Sequence, residues 1–143
     1  MDKQFEHVST KRLHSCVVLI GLVAVVLATL FLVARQKRKA DALNTFRHLE
    51  ALIQSNKWSE AFEIAGPKYR AYANIINFRG DFEYLTNYSS QYVERCEVVG
   101  LWKLMQVRLE SINQTGWGVF IEFERKGDIW LIRDVGRWTD DDL

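Results

Sequence analysis

Only two cysteines occur in the 143 residues, Cys16 and Cys96. Cys16 borders a long apolar run, and Cys96 is the single cysteine of everything that follows it. No disulfide can therefore close within that following part. Histidine is nearly as scarce, and only His48 lies beyond residue 34. A metal centre needs three or four converging ligands, and His48 with Glu50 does not supply them. His48 reads as a surface residue, and no metal is expected. One histidine also gives no basis for a Ser-His-Asp nucleophile, and Cys96 has no histidine at useful spacing. A glycine-rich phosphate loop is missing as well. So is an excess of either charge, since residues 36–143 carry 15 Lys/Arg and 16 Asp/Glu. Apart from the RQKRK segment at 35–39, no block is basic enough for a nucleic-acid footprint. No catalytic set, no cofactor and no nucleic-acid partner is expected.

What the chain does have is residues 17–34, VVLIGLVAVVLATLFLVA, with no charge, no proline and Thr29 as its one hydroxyl. As a helix this run is about 27 Å long, close to the hydrocarbon thickness of a bilayer. Backbone groups in lipid must bond one another, so a lone apolar run crosses as a helix. A buried core helix would be shorter and would lack the basic brackets, Lys11, Arg12 and His14 before it and Arg35, Lys37, Arg38 and Lys39 after it. A cleaved signal peptide would have a shorter core, and Leu32 stands where its cleavage site prefers a smaller residue. The chain thus divides into a short polar tail at 1–15, a transmembrane helix at 16–34 and a soluble α+β domain at 35–143. Basic residues on the two sides nearly balance, so charge alone does not orient the span. By analogy with other chains of this layout, the tail is expected in the cytoplasm and the domain outside it. Gly21, Ala24 and Ala28 share one helix face, a spacing that permits two spans to pair closely.

All five Trp and all five Tyr lie in the soluble part, a density that argues for a packed core. Ala42, Phe46, Leu49 and Ile53 repeat at helical spacing over 37–54, a helix expected to continue from the span and to end at Ser55-Asn56-Lys57. Ser59 is expected to cap a second helix at 60–65, stopped by Gly66-Pro67. Residues 68–78 fit a helix with or without a short strand at 75–78. Arg79-Gly80 reads as a break, and Asp81 as the cap of a third helix from 82 to about 93. The period then becomes two. Met105, Val107 and Leu109 form one strand, Trp117, Val119, Ile121 and Phe123 a second, and residues 129–135 a third, with 97–102 extended ahead of them. A two-residue turn at Lys126-Gly127 would pair Phe123 with Trp130, Ile121 with Ile132 and Val119 with Asp134. A five-residue loop at 112–116 would keep Met105, Val107 and Leu109 on the same face.

Helices followed by an antiparallel meander with one apolar face make an α+β plan. The order resembles the nuclear transport factor 2-like superfamily, the cystatin-like roll. The resemblance covers roughly residues 40–138. It rests on FRHLEALIQSNKWSEAFEIAGPKYR as an opening helical pair and KGDIWLIRDV as a closing strand. It implies a curved sheet wrapped around helices as a cone-like roll. Membrane-anchored bacterial members have the same layout, and some are assembly components of secretion or conjugation machines. Two functions follow. The first is a non-enzymatic, single-pass anchored interaction or scaffold domain whose partners are the bilayer and a protein or second copy. The second is a small-molecule-binding or isomerase-like cone using Asp134 and a tyrosine. For that reading Asp134 is the candidate ligand-binding residue, a carboxylate on an apolar face, with Trp130 beside it. Against it, Asp134 could sit solvated at a strand end or pair with Arg133 or Arg137.

Overall fold

The computed structural model describes residues 3–87, 92–101, 103–111 and 117–139. The chain divides after Lys37 into two compact units. One helix, α1 (Lys3–Gln54), runs from the first into the second. In the first unit its apolar side chains from Val17 to Val33 are bare, with Ile20 68% and Val26 48% exposed. The run has no protein cover, and this is a helix long and apolar enough to cross a membrane, near the N-terminus. The Thr29 hydroxyl donates to the Val25 carbonyl at 2.8 Å, which removes the run's one side-chain polar group from any need for water.

The second unit is an α+β domain. Ala42, Phe46, Leu49 and Ile53 of α1 are buried, as their spacing predicts. Asn56 then adopts a positive φ of 58°. Its N–H bonds the Ile53 carbonyl at 2.9 Å and the Lys57 N–H bonds the Leu52 carbonyl at 2.9 Å. These two bonds satisfy the last carbonyls of α1 and end it where expected. The next helix, α2 (Trp58–Glu63), starts sooner than Ser59 would allow. The closing turn of α1 already places the Lys57 carbonyl to accept from Ala61 N–H at 3.0 Å, so no side-chain cap is used. Pro67 then opens α3 (Pro67–Arg70) at a position where its missing N–H costs nothing.

The third expected helix is displaced. It is α4 (Ile75–Phe82), extended by a 3₁₀ turn (Glu83–Asn87), and not a helix over 82–93. Asn74 is the cap in place of Asp81: its side chain accepts from the N–H groups of Ile76 and Asn77 at 2.9 and 3.0 Å. Asn77 accepts in return from Asn74 N–H at 3.3 Å, completing a reciprocal box. Gly80 lies inside α4 and does not break it. Phe78, Phe82 and Tyr69 stack edge-on and tilted over 4.6 to 6.2 Å between centroids, an aromatic layer beneath the sheet.

Four strands form an antiparallel meander in sequence order, β1 (Tyr92–Leu101), β2 (Leu104–Ser111), β3 (Trp117–Lys126) and β4 (Ile129–Thr139). The segment expected only to lead into the sheet is thus a full first strand. Between β2 and β3 the register is as expected, with Met105 opposite Phe123, Val107 opposite Ile121 and Leu109 opposite Val119. The five-residue loop at 112–116 lies outside the described residues.

The β3–β4 hairpin differs. Its loop is Gly127-Asp128, with Gly127 at φ 63°, and Lys126 pairs with Ile129. Glycine at the first loop position is what a type II′ turn requires. Phe123 therefore faces Ile132, and Trp130 faces Arg125. A shift of two preserves the faces, so Phe123, Ile121, Trp130 and Ile132 are all buried as expected. Beyond Ile132 an extra residue, Arg133, opens a bulge. Asp134 then stands opposite Glu122 and not Val119.

Candidate functional site

Asp134 and Trp130 are not brought together. Trp130 is 5% exposed within the core. The bulge carries Asp134 off the apolar face, so the expected inward carboxylate is corrected: one inserted residue reverses the side on which a strand residue falls. Of the two arginines expected as partners of Asp134, Arg133 is engaged elsewhere. That guanidinium bonds Glu122 at 2.8 Å, and Glu122 also accepts from the Gln106 amide at 3.2 Å.

The Tyr72 hydroxyl donates to Asp134 Oδ1 at 3.0 Å. The same oxygen accepts from Val135 N–H at 2.9 Å. Docking of the segment before α3 onto β4 makes this contact possible. Gly66 N–H bonds the Ile132 carbonyl at 2.7 Å, and Ile132 N–H bonds the Ile64 carbonyl at 2.9 Å. Arg70 reinforces the bend by donating to the Phe62 and Glu63 carbonyls at 2.9 and 3.1 Å. Three residues before Tyr72, Tyr69 is fully buried and donates a hydrogen bond to Asp81. The two tyrosine rings are 5.1 Å apart.

Two tyrosine–aspartate pairs thus lie side by side. Burial, and next the bond to Asp81, push the Tyr69 phenol far above its ordinary value. Tyr72 is 57% exposed as a residue, yet its hydroxyl end is held against Asp134. Desolvation of that end, and next the bond to Asp134, raise its pKa to about 12. Both phenols are therefore held protonated at neutral pH, as hydrogen-bond donors and not as bases. Sequence reasoning invokes a tyrosine without a number and misses Tyr69, Tyr72 and Asp81 as a group. The usable signal is the spacing of Tyr69 and Tyr72 across the end of a short helix.

This arrangement predicts a titration. A raised folded-state pKa means the folded chain holds the Tyr72 proton more tightly than the unfolded chain does. The stabilisation from this group is complete below 10.0, the ordinary value, and is lost as pH rises towards about 12. Phenolate absorbance measured on the native chain and on Tyr72→Phe should differ by one titration centred well above 10. A difference curve centred at 10 would show that the hydroxyl is free in solution.

His48 is exposed, as expected of a surface residue. Among the described residues no group of three or more His, Cys, Asp or Glu side chains is placed to hold a metal ion. The side chain of Cys96 lies outside the described residues. The architecture defines an α+β domain carrying a long apolar N-terminal helix. No protein-family profile, curated protein or solved structure matches this chain.

Proposed function

We propose that the protein is a single-pass membrane-anchored interaction or scaffold domain, non-enzymatic, serving within a larger membrane-associated assembly. The observation that carries this reading is the bare apolar helix of the first unit, continuous with the first helix of a folded domain. Two features of the domain support it. The middle of the sheet's inner face, Met105, Val107, Ile121, Phe123 and Ile132, is fully buried and carries no ionisable group. Around the start of α4, in contrast, Tyr72, Ile75 and Ile76 are exposed, Ile76 by 78%. Single exposed apolar residues are ordinary, but three close in sequence suit a contact surface. The finer fold reading is a cystatin-like roll of the nuclear transport factor 2-like kind, with the domain on the extracytoplasmic side.

A second reading, a small-molecule or isomerase-like protein, draws on the Tyr72–Asp134 bond, which joins an acid to a tyrosine as that reading requires. Cross-linking in native membranes followed by sizing separates the two. An assembly component should appear in a discrete species well above its own 16.7 kDa. A chain that stays at its own mass at every cross-linker dose would contradict the scaffold reading. For the side of the membrane, a C-terminal reporter active only outside the cytoplasm should give signal. Signal from a cytoplasm-only reporter would reverse the orientation.

A further inference from the structure

We infer that Tyr72 and Asp134 form a latch that closes the outer edge of β4 against strand addition by a second copy of the chain. The latch lies wholly within the α+β domain, so it is independent of the anchor. The sheet runs β1-β2-β3-β4, which leaves one side of β4 as an edge. Such an edge offers backbone groups to any extended segment, and two copies can pair there about a two-fold axis. Ile132 shows which groups point outward. Its N–H donates to the Ile64 carbonyl at 2.9 Å and its carbonyl accepts from Gly66 N–H at 2.7 Å, both away from β3. Along antiparallel strands, outward residues alternate with those bonded to the neighbour. Ile132 lies opposite Phe123, and Val135 lies opposite Ile121, two residues along β3. Val135 is therefore the next residue of β4 to point outward, the bulge at Arg133 having added one residue to the interval.

These two neighbouring positions on the edge are closed in different ways. At Ile132 the backbone of residues 64–66 fills the edge as a parallel bridge. Pro67 then opens α3, and proline has no N–H with which to continue the pairing. At Val135 a side chain takes over. Asp134 Oδ1 accepts the Val135 N–H at 2.9 Å, and the Tyr72 hydroxyl holds the same oxygen at 3.0 Å. An extended segment pairing here needs that N–H, so it must displace both the carboxylate and the phenol. A carboxylate accepts a backbone N–H more strongly than the neutral carbonyl of an incoming strand does, which favours the closed form. A second copy meets a further obstacle. Antiparallel pairing of two β4 edges about Val135 sets the two Asp134 carboxylates close together, and like charges across strands repel. A charge and a bulge placed on an edge strand are the devices that keep such edges from pairing.

The test uses the purified full chain in detergent. Amide hydrogen exchange is read at Val135, and size is measured over a range of concentrations beside the native chain, so that any association through the apolar helix is common to all samples. In dilute samples Asp134→Ala should speed exchange at Val135 by about tenfold or more, the effect of losing a hydrogen bond to a charged group. As concentration rises, this variant should pass from the native size to twice that size, and its Val135 amide should become protected again. Asp134→Asn keeps an oxygen to accept the N–H and should stay at the native size. Val135→Pro added to Asp134→Ala removes the donor, which an edge strand tolerates where the N–H faces out, and should restore the native size. That restoration, with thermal melts of each variant, separates edge pairing from association of an unfolded chain. Unchanged exchange at Val135 in Asp134→Ala, a native size at every concentration, or association without renewed protection at Val135 would each overturn the latch. So would Asp134→Asn associating as strongly as Asp134→Ala.

Discussion

Trp130→Ala is expected to cost about 3–5 kcal/mol of stability, the range for removing a buried indole. Trp130 is 5% exposed and lies on the same face as Phe123 and Ile132, both fully buried. A domain of this size has only about 5–15 kcal/mol in total, so the variant should melt far lower or fail to fold. Glu124 is one residue from Phe123 but on the opposite face, paired with Leu131 and Leu104. Its alanine variant should change stability by less than about 1 kcal/mol. Denaturant melts of the two variants beside the native chain decide the matter. Equal losses would mean that the faces of the β3–β4 hairpin are assigned the wrong way round.

Gly66→Ala is the second large effect, and its cause is close approach. The backbone at Gly66 is extended, with φ −74° and ψ 167°, which any residue adopts. An added Cβ, however, would sit 2.8 Å from the Ile132 carbonyl oxygen and 3.2 Å from Leu131 Cβ. The nearer atom is backbone and is held by the bond from Gly66 N–H, so the strand or the bend must move. Overpacking of this kind costs about 1–3 kcal/mol, and the stiffer unfolded chain returns only about 0.4–1 kcal/mol. The net is a loss, and it should also disturb Tyr72–Asp134, which depends on the same docking. Gly80→Ala makes the opposite prediction. Gly80 is inside α4, and a Cβ added there would meet nothing within 4 Å. Alanine there should stabilise by about 0.5–1 kcal/mol. Thermal melts with the two changes moving in the same direction would contradict this account of both glycines.

Much of the architecture can be read from residue spacing because each signal is local. The stripe Ala42, Phe46, Leu49, Ile53 and the alternation around Val107 and Ile121 each need only one element to be right. Spacing misplaces the hairpin register by two because Lys126-Gly127 and Gly127-Asp128 are both acceptable loops by composition. The positive φ of Gly127 at the first position selects the second. The bulge at Arg133 leaves no mark in the pattern, and it alone takes Asp134 from the inner face to the position opposite Glu122. The third helix is expected too late because Asp81 is as good a cap by type as Asn74. What distinguishes them is tertiary: the Asp81 carboxylate is engaged by the buried Tyr69 hydroxyl. The candidate site is legible only at Asp134. Its partner Tyr72 lies 62 residues earlier, and their meeting depends on the backbone bonds between Gly66 and Ile132.

The central claim, a folded α+β domain held to a bilayer by residues 17–34, is tested most directly by alkaline carbonate extraction of native membranes. The full chain should remain in the pellet through both high salt and carbonate. A chain beginning near Lys39 should appear in the soluble fraction and still melt cooperatively. Release of the full chain by carbonate would contradict the account.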